Sequence, residues 1–309
     1  VTGLSVLTTY YMNVLVQDRA GNIAACTSAS GTTTDFPRIF WVDSTPPEIA
    51  STTIAGPPFT VRRADLTSTG QTNPFAVAVD PVGMKVYWTH NKSGAYAIYR
   101  SNLDGQNVQN LGITGLNKPC GIAVDWVRGY LYWTDATNVK IYRSSLPPAA
   151  GAESVYMILD SANVHAPWGI DVDMTTGDFL WVESDTTHKQ IRKAPCSNPT
   201  SIVDIVASLS SPVDLAVDSV NKMVYWTDNV ASKVLAHNLT PGTTTYDVIN
   251  QNLGLPSGIT IDVPNGQVYW ADITKNNVYR APTSTRNGNA DNFILGVTGT
   301  RGPQGLAIY

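Results

Sequence analysis

Charge is scarce in this 309-residue sequence: only 14% of its residues are Asp, Glu, Lys or Arg, and the formal net charge is −4. A nucleic-acid partner needs clustered Lys and Arg. None are clustered here, which excludes that class. No run of 18 or more apolar residues occurs, so the chain reads as not membrane-spanning. The opening Val1-Thr-Gly-Leu-Ser5 lacks the basic start and apolar core of a signal peptide. It reads as the start of an excerpt or processed product of a longer protein. Cysteine is nearly absent. Cys26, Cys120 and Cys196 allow at most one internal disulfide, and they read as three unpaired or partly buried thiols. There is no CxxC and no Cys/His spacing suited to zinc. GxSxG, HExxH and phosphate-loop patterns are missing too, which leaves no familiar catalytic signature. Long runs of helix formers are also missing. Thr, Ser, Asn, Gly and Pro are abundant instead, which predicts many short strands joined by turns.

What the sequence has is a repeat. Tyr132-Trp-Thr-Asp135 recurs as Tyr87-Trp-Thr-His90, Tyr225-Trp-Thr-Asp228 and Tyr269-Trp-Ala-Asp272, with looser copies at Phe40-Trp-Val-Asp43 and Leu180-Trp-Val-Glu183. The tryptophans Trp41, Trp88, Trp133, Trp181, Trp226 and Trp270 are spaced by 47, 45, 48, 45 and 44 residues. That period belongs to a four-stranded propeller blade. An apolar strand ending in Asp precedes five of the six motifs, and the interval from Asp80, Asp125, Asp173, Asp218 and Asp262 to the next motif Trp is always 8. Only the copy at Trp41 lacks such a strand. Pro303-Gln-Gly-Leu-Ala-Ile-Tyr309 matches Pro119-Cys-Gly-Ile-Ala-Val-Asp125 position by position. The C-terminal strand is therefore predicted to complete the first blade and close the ring, which removes exposed sheet edges. The third strand is read as Lys140–Ser144 in the clearest blade and as Thr60-Val-Arg-Arg-Ala64 in the first.

Residues 1–28 stand outside the repeat. Leu4, Val6, Thr8, Tyr10, Met12, Val14 and Val16 alternate with period two, as in a half-buried strand. Gln17–Asn22 reads as a turn and Ile23–Thr27 as the return strand. Residues 29–35 read as a polar linker, and 36–309 as the propeller.

These motifs resemble the six-bladed YWTD propeller of the low-density lipoprotein receptor class B repeats and of nidogen. The hairpin resembles the end of a fibronectin type III or immunoglobulin-like domain, with Leu4…Thr8-x-Tyr10 as its tyrosine corner. The resemblance implies an all-β fold: a six-bladed propeller closed by the C-terminal strand, preceded by a hairpin fragment. It also implies an extracellular, non-catalytic protein. That protein would bind protein or glycan ligands in adhesion, or self-associate as the repeating structural subunit of a surface filament.

Residues present in every blade should serve the ring. The six Trp are read as packing between blades rather than as ligand platforms. Asp135, Asp228 and Asp272 are read as accepting backbone N–H bonds between blades rather than holding calcium. Departures from the repeat are where a binding site is expected. The residue after the inner-strand proline is Phe75, Cys120, Trp168, Val213, Ser257 or Gln304, and these are expected around the central depression. Phe75 and Trp168 would stack on a ligand or cap the channel. His90, in place of the motif Asp, is a further contact candidate, pH-sensitive or simply solvated. No cofactor is required. Asp171 and Asp214 are non-repeated acids near the channel and the best candidates for an ion, calcium included. They carry the alternative reading of a calcium-dependent, lactonase-like hydrolase. Asn91-Lys-Ser93 and Asn238-Leu-Thr240 are glycosylation sequons at expected turns, marking a glycoprotein. Pro46-Pro47, Pro57-Pro58, Pro147-Pro148 and the threonine runs 32–34 and 243–245 mark stiff, polar loops.

Overall fold

The computed structural model describes residues 38–54, 62–67, 70–146, 155–293, 295 and 302–308, together with the backbone of four short strands before residue 33. Six antiparallel sheets follow one another along the chain. The third is typical. Its inner strand Pro119–Asp125 pairs with Tyr130–Asp135, then Lys140–Ser145, then the outer Val155–Leu159. The second, fourth and fifth sheets repeat this order, starting at Pro74, Pro167 and Pro212. The sixth has three paired strands among the described residues, Pro256–Asp262, Gln267–Asp272 and Asn277–Pro282. Its neighbouring fifth sheet gains a short parallel addition, Gly288–Asn289. Among the described residues no helix is long and apolar enough to cross a membrane.

The ring closes as the repeat spacing predicts. Pro303–Ile308 is the inner strand of the first blade, pairing Pro303 with Asp43 and Leu306 with Trp41. The third blade pairs Pro119 with Asp135 and Ile122 with Trp133 in the same register.

One sequence expectation is corrected. Arg62–Asp65 is the fourth strand of the first blade, not the third; the third is Pro47–Thr53. Asp43 pairs with Glu48 five residues on, as Asp135 pairs with Lys140. The prolines at 46 and 47 hid this strand. Pro47 is tolerated because it is the strand's first residue, where a missing N–H costs no ladder bond.

The core consists of six seams, one between each pair of blades. Alternate residues of a strand face opposite sides of its sheet. The motif Trp therefore packs into one seam and the residue before it into the next. Tyr87 shares a cluster with Trp133, Tyr132 with Trp181, Leu180 with Trp226, Tyr225 with Trp270, Tyr269 with Trp41, and Phe40 with Trp88. All six Trp are 0% exposed, so the packing reading holds and the platform reading does not.

At the N-terminus, Leu15–Gln17 pairs with Ile23–Ala25, the expected hairpin. The pairing extends further than expected, because Thr9–Met12 pairs with Ala29–Thr32, residues read from sequence as linker. A ladder is built from main-chain groups, so polar side chains did not prevent it. The side chains of residues 1–37, Tyr10 and Cys26 among them, lie outside the described residues.

Candidate ligand-binding cleft on the upper face

The upper face of the ring is where inner strands begin and second strands end. In all six blades the ladder between these strands slips just after the proline. Pro119 pairs with Asp135 and Ile122 with Trp133, so Cys120 and Gly121 together oppose Thr134. This is a β-bulge, which breaks the ladder and re-aims a side chain. The motif Thr fills the gap. Thr134 Oγ1 accepts the Gly121 N–H at 2.9 Å and donates to Trp168 O in the next blade. Thr89 likewise accepts the Ala76 N–H at 3.1 Å and donates to Cys120 O at 2.8 Å. The sequence reading missed this staple between blades, although the hydroxyl stood in the motif. Glycine follows because the inner strands touch here: a Cβ on Gly121 would lie 2.4 Å from Trp168 O.

The bulges aim five of the six expected residues at a central cavity of about 280 Å³. Phe75, Trp168, Val213, Ser257 and Gln304 line it, with Ser184, Ser211, Asn229 and Ile273. Phe75 and Trp168 remain partly exposed and meet across the third blade, their ring centroids 5.7 Å apart and tilted by 59°. Lys118, which sequence reasoning did not single out, places its Nζ 4.8 Å from the Trp168 ring centroid. A cation over an indole face is attractive and leaves the ammonium available to an anionic ligand group.

Two expected cleft residues are elsewhere. Cys120 is fully buried, with its Sγ 3.9 Å from Asn91 Nδ2 of the second blade. Burial pushes its thiol up to about 12, so it is neither a contact nor a nucleophile at neutral pH. Cys120 and Cys196 are both free. His90 is also buried, being only 1% exposed. Its Nε2 accepts the Thr72 N–H at 3.1 Å, and its Nδ1 lies 2.7 Å from Ala95 O. Burial outweighs the Ala95 bond and lowers its pKa, so the ring is neutral with the proton on Nδ1. His90 therefore does what the acid does in other blades, and is neither solvated nor a ligand contact. Asp135 accepts the Asn117 N–H at 2.7 Å, Asp228 that of Ser210 at 2.9 Å, and Asp272 that of Gly254 at 2.6 Å. Each fixes the segment that arrives from the preceding blade.

The channel acids are staples as well. Asp171 accepts the N–H groups of Val172 and, in the fifth blade, Val217, both at 2.8 Å. Asp214 accepts those of Leu215 at 3.0 Å and of Ile259 in the sixth blade at 3.3 Å. Burial raises Asp171 to about 6 and Asp214 to about 7, against the pull of these bonds; the Asp171 charge raises Asp214 further. Asp214 lines both the cleft and a second cavity of about 510 Å³ below it, and Asp171 lines only the second. Asp171 stands where Ala123 and Ala216 stand in neighbouring blades, and Asp214 takes a glycine position. The recurring inner-strand Asp residues cap the turns that follow, as Asp218 Oδ1 does for the N–H groups of Val220 and Asn221 at 3.1 and 2.9 Å. Of the sequon residues, Asn91 is half-buried, and Asn238 Oδ1 accepts the Thr240 N–H at 2.8 Å.

Beside the cleft, the fourth blade departs from the repeat again. Glu183 pairs with Gln190, seven residues on, where Asp135 needs five to reach Lys140. The longer loop carries Asp185 and His188, and His165 faces them from the segment entering the inner strand. The two imidazoles stack with centroids 3.7 Å apart and an interplanar angle of 11°. The extra loop length is the sequence signal that would have found them.

Residues 84–126 match the family described as low-density lipoprotein receptor repeat class B. The chain is 25% identical over 176 residues to low-density lipoprotein receptor-related protein 1 of Pyricularia oryzae, covering 50% of this chain and 57% of that one. It is 32% identical over 151 residues to the human low-density lipoprotein receptor-related protein 5-like protein, covering 49% and 57%. It thus spans little more than half the length of either relative. Among solved structures, a nidogen/laminin complex superimposes with a TM-score of 0.73 at 18% identity, over 88% of this chain and 98% of that one. A streptogramin B lyase superimposes with a TM-score of 0.52 at 18% identity, over 70% and 67%. At these identities the structural likenesses speak for the fold alone.

Proposed function

We propose that this is a non-catalytic, extracellular binding module whose upper cleft holds a segment of a partner protein. The observation that carries this reading is the partly exposed Phe75–Trp168 pair, set by two bulges into a cavity walled by non-repeated residues. An apolar or aromatic side chain would rest against the surface that the two touching rings present to the cavity. Gln304 and Asn229 would serve its main chain, and Lys118 an acidic neighbour. Receptor-related names among the relatives, and a nidogen fold neighbour captured with laminin, support a protein partner over a small substrate. Against the hydrolase alternative, both oxygens of Asp171 and of Asp214 already accept backbone N–H groups.

The test selects peptides from a displayed random library on the native chain and then measures them against Trp168→Ala and Phe75→Ala. A central aromatic anchor is worth about 2 kcal/mol or more, or about 30-fold in affinity. Peptides that bind both variants as tightly as the native chain would place recognition elsewhere and sink the reading.

Self-association is a second reading, carried by the N-terminal hairpin. Among the described residues its two ladders have no third strand, and a lone hairpin is marginal in water. Packing against another copy would supply the missing partner and build a filament.

A further inference from the structure

We propose that His165, Asp185 and His188 form a binding site for a divalent transition-metal ion such as zinc, on the upper face beside the cleft. One donor atom from each residue lies within 4.8 Å of the other two. Zinc bonds to imidazole nitrogen and carboxylate oxygen at about 2.0–2.2 Å, so its ligands stand about 3–4 Å apart. The two rings stack within 11° of parallel, so each must turn out of the stack to aim a nitrogen lone pair at a shared ion, which their half-buried positions leave room for. Two imidazoles with one carboxylate select zinc and its transition-metal neighbours over calcium, which takes oxygen ligands.

Both sides of the site are held in place before any ion arrives. The His165 N–H is bound to Glu183 Oε1 at 3.1 Å, which fixes the incoming segment. Across from it, Asp185 Oδ1 accepts the N–H of Thr187 at 2.6 Å and that of His188, while the Asp185 N–H returns to His188 O at 3.2 Å. Asp185 Oδ2 lies 2.9 Å from His188 Nδ1. A carboxylate so placed is within reach of the same ion as the ring beside it.

The residues that build this site are departures from the repeat. His165 occupies the position of Asn117, Ser210 and Gly254, and His188 sits in the loop that the fourth blade lengthens by two residues. Ser184, next to Asp185, lines the cleft. Three protein ligands leave a fourth position open. An ion here would therefore hold a position open near the cleft, to water or to a donor atom of a bound partner. The inference does not depend on what the cleft holds.

The experiment titrates Zn²⁺ into the tag-free chain by calorimetry and Co²⁺ by visible absorption, whose ligand-field bands report coordination. One equivalent is expected, unaffected by excess Ca²⁺. Affinity should fall about 10- to 100-fold in Asp185→Asn, and uptake should vanish in His165→Ala/His188→Ala. Ni²⁺ should broaden the NMR signals around residues 165 and 188 in the native chain, which needs no variant to fold. No uptake at millimolar zinc, an equivalent retained by the double variant, or broadening centred on His90 or His237 would each overturn the proposal.

Discussion

The third and fourth blades share one architecture and differ where it matters for binding. The third follows the repeat throughout: Cys120 turned into the seam, Ala123 facing the channel, Thr134 bridging to its neighbour, Asp135 followed by a short loop. The fourth has Trp168, Asp171, Val182 and Glu183 at the same positions, and a loop two residues longer. Its Val182 has no hydroxyl to reach the fifth blade, and Asp171 bridges there instead through Val217. The fourth blade thus keeps a covering of the seam by other means, and its upper end carries a partly exposed indole and two histidines. Regularity in one blade marks what the ring requires, and the substitutions in the other mark what it can spare.

The largest effect that tests this contrast comes from the tryptophans. Trp133 is wholly buried in a seam, stacked on Tyr142 at 5.4 Å. Trp133→Ala leaves a cavity between two sheets and should cost about 3–5 kcal/mol in denaturant unfolding. Trp168→Ala, one blade away, should cost a small fraction of that while removing ligand binding. Equal destabilisation by the two would erase the distinction between the blades.

A smaller effect sharpens the comparison at the bridge. Thr134→Val matches Val182 in shape but strands the buried Gly121 N–H and leaves Trp168 O without its donor. Leaving a buried donor unpaired costs about 1–3 kcal/mol, again measured by denaturant unfolding. Because Trp168 O is one end of the bridge, peptide affinity should fall as well. Thr134→Ser keeps the hydroxyl and should restore both.

How much of this the sequence discloses follows from the same contrast. Trp spacing and the fixed interval of 8 to the preceding Asp locate all six blades, and the match of Pro303–Ile308 to Pro119–Val124 locates the closing strand. Periodic burial writes itself into sequence because every seam needs the same large side chain. The first blade's third strand escaped because Pro46-Pro47 looks like a loop, though Asp43 and Glu48 keep the common five-residue interval. Phe75, Trp168 and Gln304 were legible as cleft residues from their place after the proline. Cys120 shares that place but is small and apolar enough to turn into the seam. His90 misled because a histidine at a polar motif position suggests surface, whereas it substitutes for an acid by accepting the same N–H. The histidine pair was missed because 165 and 188 meet only through the strand pairing of one blade, and its one mark in the sequence is the loop lengthened by two residues.

The smallest expected effect concerns the acids that the fourth and fifth blades place at the channel, where the third has Ala123 and Gly121. Asp171 and Asp214 ionise in the unfolded chain near the ordinary 3.8 but hold their protons to about 6 and about 7 when folded, chiefly through burial. Between those values the folded chain binds more protons than the unfolded one. Stability from this source is therefore greatest at low pH, falls as pH rises through the folded values, and is gone above them. The thermal midpoint should drop by a few degrees between about pH 5 and about pH 8 beyond what other groups contribute. Asp171→Asn/Asp214→Asn should lose that slope. It should also be somewhat less stable at the lower pH, because each amide keeps one acceptor and turns an N–H₂ toward a backbone donor. A slope that survives in the double variant would assign it to other groups and leave the channel acids as neutral-pH staples, no different in kind from Thr134.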